Sequence, residues 1–408
     1  MDNLPQPPQS ALAKYRLLSP KAGVHVSPIQ LGGLSIGDQW KRMGAMTKES
    51  SFELLDAYFD LGGNIIDTAA NYQYGSSEEF IGEWAENRGI RDQLFIATKV
   101  DILFFEHIDF MLIQPSVHQY SGNLRAHDNS VKQKVLLSGN STKNMFLSVE
   151  QSLKRLRTSY IDLYYIHFWD WETSIEEVMQ SLNILVQQQK VLYLGASDTP
   201  AWVVAKANTY ARAHGLTPFS VYQGRWGILD RSFEREIIPM AREEGLALAP
   251  WSVIGGGKVR TDEEEERRRR TGENGRSIFG PNWERNESEK KICKALEKVA
   301  AEVGAKHITA VAIAYVMHKT TYVFPIIGGR KVEHLKANLE GLKIRLTEEQ
   351  IKFLESATEF DPGFPNFMIG DGSFYSYQVL SNGSYLEKQP FAPPILPAPK
   401  SVNTSEGN

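Results

Sequence analysis

The stretch NIIDTAANY, Asn64 to Tyr72, decides the fold. A short apolar run ends on Asp67, and Tyr72 follows five residues later. Before it lies a helical pattern with Phe52, Leu55 and Phe59 on one stripe, stopped by Gly62-Gly63. Ser50 and Glu53 read as a capping box for that helix. A brief apolar run between amphipathic helices is the mark of a buried parallel strand.

Working outward, the same alternation recurs. Strands are predicted at 29–32, 64–67, 94–98, 161–166, 191–195, 219–223, 246–250 and 322–327. Helices are predicted at 48–61, 78–87, 145–157, 174–189, 201–214, 231–244, 287–303, 307–319, 332–339 and 347–357. Eight strand–helix units with right-handed crossovers predict an α/β chain folded as a closed (β/α)8 TIM barrel. A doubly wound dinucleotide fold would carry Gly-x-Gly-x-x-Gly after the first strand, and LGGLSIG (31–37) lacks that spacing. The turn Ser19-Pro20-Lys21-Ala22-Gly23 predicts an N-terminal β-hairpin. Residues 1–14 read as a flexible leader, 15–361 as the barrel with an insertion at 100–144, and 362–408 as an extended, largely disordered Pro/Ser/Asn-rich tail. The run 263–270, four Glu then four Arg, reads as a solvated helix turn with i,i+4 pairs.

Composition narrows the classes. Of 408 residues, 42% are hydrophobic and 23% charged, with net charge −4. That is an ordinary globular balance without the basic excess a nucleic-acid partner requires. The single cysteine, Cys293, excludes an intrachain disulfide and a Cys-based zinc site. No apolar run is long enough for a membrane span, and the first residues carry no signal pattern, so a cytoplasmic protein is expected.

Asp67, Tyr72, Lys99 and His167 stand at or just past the ends of strands two, three and four. In a barrel they converge on one rim. A free phenol has a pKa of about 10, and a neighbouring ammonium lowers it. Tyr72 is therefore the candidate proton donor, Lys99 its neighbour, and Asp67 the anchor of Lys99. His167 would hydrogen-bond a substrate oxygen. With only Asp67 and His167 available as ligands, a metal hydrolase is a poor reading and no metal is expected.

Asp67-Thr68-Ala69-x-x-Tyr72, Thr98-Lys99 and Asp162-Leu163-Tyr164-Tyr165-Ile166-His167 resemble the aldo-keto reductase family. The resemblance covers roughly residues 15–361. It is closest to the fungal branch of aryl-alcohol dehydrogenases and norsolorinic acid reductase, through the stretch after His167 and Thr199-Pro-Ala-Trp-Val-Val. It implies that the four residues form the active site, that NADP(H) is the cofactor, and that aldehydes or ketones are reduced reversibly in secondary metabolism. The same resemblance leaves open oxidation of aryl alcohols, and a regulatory subunit that binds NADPH without turnover.

Ser197, Asp198 and Gln223 would then bind the nicotinamide carboxamide, although the family usually has Ser-Asn where this chain has Ser197-Asp198. Trp251 would stack on the nicotinamide ring. Ser252, Gly256 and Lys258 would approach the pyrophosphate. Gly328, Arg330, Lys331 and His334 open a helix and suit the adenosine 2′-phosphate, with Asn338 near the adenine. Trp40, Phe168, Trp169 and Trp226 would line a pocket for a small-molecule substrate, aromatic or bulky. The segment 100–114 is unusually apolar for a loop and has no counterpart in the family pattern. It reads either as a substrate lid or as an in-frame unspliced intron.

Overall fold

A computed structural model of the chain describes residues 7–40, 44–100, 130–273, 283–375, 380 and 383–399. Most of the insertion, and with it the choice between lid and intron, lies outside them.

Two strands, β1 (Arg16–Ser19) and β2 (Ala22–Val26), form the antiparallel hairpin, with Pro20-Lys21 at its tip. The eight barrel strands follow as β3 (Gln30–Gly32), β4 (Ile65–Asp67), β5 (Phe95–Lys99), β6 (Ile161–Ile166), β7 (Val191–Ser197), β8 (Val221–Arg225), β9 (Ala247–Trp251) and β10 (Ile326–Ile327). All neighbours are parallel in the order β10-β3-β4-β5-β6-β7-β8-β9. The last stave is shorter than the predicted 322–327, because Pro325 interrupts the ladder; a bridge between Leu248 and Val323 closes the ring onto β9.

Two apolar cores result. Leu18, Ala22 and Val26 of the hairpin pack with Ile65, Phe95, Leu163, Val221, Ala247 and Phe324 inside the barrel. Ile65 and Phe95 open their strands, so the hairpin plugs the end opposite the strand C-termini. The outward side chains pack under the helices in a second, larger core. Each buried aliphatic or aromatic side chain contributes about 1.5–3 kcal/mol. Gly195 is required for the inner packing, since a Cβ there would lie 2.4 Å from the Tyr165 ring.

The crossover helices are α1 (Lys48–Asp60), α2 (Ser76–Arg88), α3 (Thr142–Arg155), α4 (Ile175–Gln187), α5 (Ala201–Ala213) and α6 (Phe233–Glu244). After β9 come α7 (Asp262–Thr271), α8 (Glu287–Val303) and α9 (Ile308–Lys319). Then α10 (Val332–Leu339), α11 (Glu348–Glu355) and the single turn α12 (Asn366–Ile369) complete the chain. Among the described residues no single helix is long and apolar enough to cross a membrane.

Two local expectations are corrected, at the cap of α1 and at α7, and described parts of the leader and the tail touch the barrel. The cap of α1 is Thr47, whose side chain accepts from the Ser50 amide; Ser50 already lies inside the helix. The leader is docked from Ser10 onward: Ser10 Oγ donates to Leu61 O at 2.5 Å and Leu12 is fully buried. Described parts of the tail contact the barrel: Asn366 Nδ2 donates to Arg235 O at 3.0 Å, Phe391 lies under Arg242 at 3.7 Å, and Pro397 O accepts from Arg345. Finally, α7 has its i,i+4 pairs, but Glu265 is buried between Arg260 and Arg285, at 2.8 Å from each. That triad ties the segment after β9 to the start of α8.

Candidate active site

Parallel pairing brings Asp67 beside Ala97 and Lys99 beside Tyr165, so the ends of β4, β5 and β6 share one rim. Lys99 is completely buried. Its Nζ donates to both carboxylate oxygens of Asp67, at 2.8 and 2.9 Å, and to Thr68 O at 2.7 Å. The same Nζ lies 5.2 Å from the centroid of the Tyr72 ring. Burial pulls the Lys99 ammonium below its ordinary range, and the Asp67 carboxylate opposes that pull.

Tyr72 is half-buried, and it is the most accessible of the four. Its ring meets His167 edge-on at 6.3 Å and Trp40 at 6.3 Å. The two residues after it, Gln73 and Tyr74, adopt left-handed backbone conformations (φ 55° and 51°). Such strain persists only where surrounding structure enforces it. His167 is buried and stacks on Phe168 at 4.8 Å. Burial first, and then the charge of Lys99, hold its imidazole well below the usual histidine range, so the ring is neutral. Its Nδ1 has no hydrogen-bond partner among the described residues. A neutral imidazole beside a phenol suits an oxygen that is about to be protonated.

The ends of β7, β8 and β9 continue the rim. Ser197 is buried, while Asp198 (φ 41°) and Ser252 (φ 61°) are both left-handed. Trp251 Nε1 donates to Asp198 Oδ1 at 3.3 Å, which fixes the indole plane. Burial pushes the Asp198 carboxyl up to about 7. The Gln223 amide donates to Asp67 Oδ1 at 2.8 Å and joins the buried pair.

A nicotinamide dinucleotide fits the residues that follow. Gly255, Gly256 and Gly257 all have positive φ, a conformation glycine adopts without a Cβ penalty. At the start of α10, Lys331 caps without a side-chain bond, and neither Arg330 nor Lys331 forms an ion pair among the described residues. Desolvation, and then the charges of Lys331 and Arg268, lower the His334 imidazole, a sign of positive potential there. Unpartnered cations at a helix N-terminus suit a phosphate. Arg330 runs along Gly44, and Asn338 is buried on the inner face of α10. Lys258 is already engaged, because its Nζ donates to Glu289 at 2.8 and 3.0 Å.

The aromatic candidates divide. Trp40 and Phe168 flank Tyr72 and His167, and Trp169 is half-buried against the outer core. Trp226 has no exposed surface. It is stacked on Phe233 at 5.3 Å and donates to Glu234 at 3.2 Å. It is a core residue.

Sequence reading missed Glu78. Its buried carboxylate accepts from Thr98 Oγ1 at 2.6 Å and from Arg155 Nε at 2.7 Å, next to the strand end that carries Lys99. In Ser76-Ser77-Glu78-Glu79 it looks like an ordinary acid in the first turn of a helix.

Comparison with known proteins adds a family match and three relatives. Residues 28–359 match the Aldo/keto reductase family. The chain is 54% identical over 396 residues to an aryl-alcohol dehydrogenase [NADP(+)] of Phanerodontia chrysosporium, covering 96% of this chain and 98% of that one. It is 44% identical to norsolorinic acid reductase A of Aspergillus parasiticus over 96% and 95% of the two chains. It is also 49% identical to the aldo-keto reductase ausK of Emericella nidulans, over 90% and 86%.

Proposed function

The chain belongs to the aldo/keto reductase family, and we propose that it reduces an aromatic or bulky aldehyde or ketone to the alcohol with NADPH. It is an oxidoreductase of carbonyl and alcohol groups, dependent on NADP(H). One observation carries the reading: a fully buried ammonium, anchored on Asp67, lies against the ring of the half-exposed Tyr72.

Bound NADPH supplies the hydride that the carbonyl carbon receives. The protein does the rest. Tyr72 gives its phenolic proton to the carbonyl oxygen as that oxygen gains charge. Lys99 stabilises the phenolate left behind, and Asp67 with Gln223 keeps Lys99 in place. The neutral His167 directs a ring nitrogen at the same oxygen and fixes its approach. Trp251, pinned by Asp198, offers a flat face to the nicotinamide, and Arg330 and Lys331 hold the 2′-phosphate. Trp40 and Phe168 form apolar walls on either side of the reacting carbonyl.

The same groups run the reverse reaction, which the name of the Phanerodontia relative supports. Likeness to the Aspergillus and Emericella reductases supports a role in fungal secondary metabolism. A cytosolic location agrees with a single buried thiol.

Tyr72→Phe tests the reading on a panel of aromatic aldehydes, with NADPH oxidation as the readout. The expected result is a fall in kcat of about 10³ with NADPH affinity retained. Undiminished turnover would remove Tyr72 from the reaction. Tight NADPH binding by the wild type without turnover of any carbonyl would favour a non-catalytic cofactor-binding role.

A further inference from the structure

Next to the proton donor stands a residue that touches neither cofactor nor the reacting atoms. Gln73 is completely buried and left-handed, a conformation that glutamine rarely adopts. Both polar atoms of its side chain are engaged. Oε1 accepts the backbone N–H of Gln39 at 3.0 Å and of Trp40 at 2.6 Å. Nε2 donates to Leu34 O at 2.8 Å. Every one of these bonds spans more than thirty residues and binds the loop after β3 to the loop after β4.

The approach is closely fitted. A Cβ on Gly37, whose φ is 118°, would lie 2.6 Å from Gln73 Cβ and 2.4 Å from Ser76 Oγ. Ser76 Oγ also accepts the Asp38 amide at 3.3 Å. The loop 33–40 is thereby pressed onto the Tyr72–Ser76 turn. At its end Trp40 is almost entirely buried, with its indole edge-on to Tyr72 at 6.3 Å and to Tyr74 at 5.8 Å. The side-chain amide bonds the very N–H that positions this indole.

We propose that Gln73 is a positioning residue that sets substrate selectivity: it holds Trp40 as a fixed wall of the carbonyl pocket, so that flat multi-ring carbonyl compounds are preferred over small aliphatic aldehydes. This rests on the reductase reading of the same site. The backbone strain at 73 and 74 is kept because it aims the Gln73 amide at the neighbouring loop while the preceding Tyr72 faces the rim. A rigid aromatic wall gains affinity from a large planar ligand without ordering cost, and a loose one does not.

The test uses the full chain. Gln73→Met preserves side-chain length without the hydrogen bonds. Gln73→Glu keeps the acceptor for the two amides, and serves if the first variant folds poorly. Hydrogen exchange of the backbone amides at 34–40 reads the clamp directly and needs no turnover. NADPH-dependent reduction of naphthaldehyde and of butanal reads selectivity as a ratio of kcat/KM. In Gln73→Met the amides should exchange at least about tenfold faster, and the ratio should fall about tenfold, mainly through KM for naphthaldehyde. Gln73→Glu should recover part of both effects. In a Trp40→Ala background Gln73→Met should change the ratio by less than about twofold, because the wall it positions is gone. A proportional loss on both aldehydes, or a full additional effect without Trp40, would overturn the assignment, as would unchanged exchange at 34–40. If the wild type reduces no carbonyl, the reductase reading fails, while the exchange data still report whether Gln73 clamps the loop.

Discussion

Neutralising one partner of the Asp67–Lys99 pair should destabilise the protein more than neutralising both. The carboxylate and the ammonium are 2.8 Å apart, with Lys99 fully enclosed and Asp67 nearly so. At that distance and an effective dielectric of about 20, their attraction is about 6 kcal/mol, against which stands the cost of removing both from water. Asp67→Asn leaves the ammonium with neutral acceptors, Thr68 O and the one side-chain oxygen that asparagine keeps. Shedding the Lys99 proton caps the penalty: from an ordinary value of 10.5 to neutral pH is 3.5 units, about 5 kcal/mol. Lys99→Met leaves the buried carboxylate facing the Gln223 amide without its ammonium. Each single variant should therefore lose about 3–5 kcal/mol. The double variant removes both charges of this pair and should lie within about 2 kcal/mol of wild type. Urea unfolding followed by tryptophan fluorescence reads this, since Trp84 and Trp226 are fully enclosed. All three variants should turn over poorly, because Tyr72 no longer faces an ammonium held in place. Single variants that lose less than about 1 kcal/mol would show that the charges are not enclosed. A double variant as unstable as the sum of the singles would show that shape, not charge, sets the cost.

Three further outcomes follow from the geometry. The Asp198 carboxyl, raised from 3.8 to about 7, keeps a proton in the folded chain that the unfolded chain has lost. Stability should thus fall as pH rises through that window, and thermal unfolding of Asp198→Asn from about pH 4 to 8 should lack this fall. Because His167 is held neutral, the pH–rate profile should show no inflection near about 6.5 that depends on it; one that disappears in His167→Gln would contradict this. Lys258 is occupied by Glu289, so Lys258→Met should change NADPH affinity by less than about threefold, whereas Arg330→Ala should weaken it about tenfold and narrow the preference over NADH, measured by fluorescence titration.

The barrel was legible because a parallel stave buried on both faces must be a short apolar run, and its polar terminus marks the rim. IDLYYI (161–166) is buried along its whole length and delivers His167 to the surface of the site. Asp67 and Lys99 end their strands in the same way. Local signals went astray where two candidates stood side by side: Thr47 and Ser50 both suit a helix cap, and only the backbone conformation at Thr47 decides. Low apolar periodicity in the tail suggested disorder, although Phe391 finds the face of Arg242 on α6.

By itself, the sequence determined the alternation of strands and helices, the closed barrel, and the four side chains at the rim, since each follows from periodicity and strand ends. Only the tertiary structure decided that Gln223 bonds Asp67, that Glu289 occupies Lys258, that Trp226 turns into the core, and that Gln73 grips the loop of Trp40. The physical reason is the range of the interactions. Periodicity records which face of an element is buried, but a polar atom's partner depends on which distant loop the closed ring brings within three ångströms.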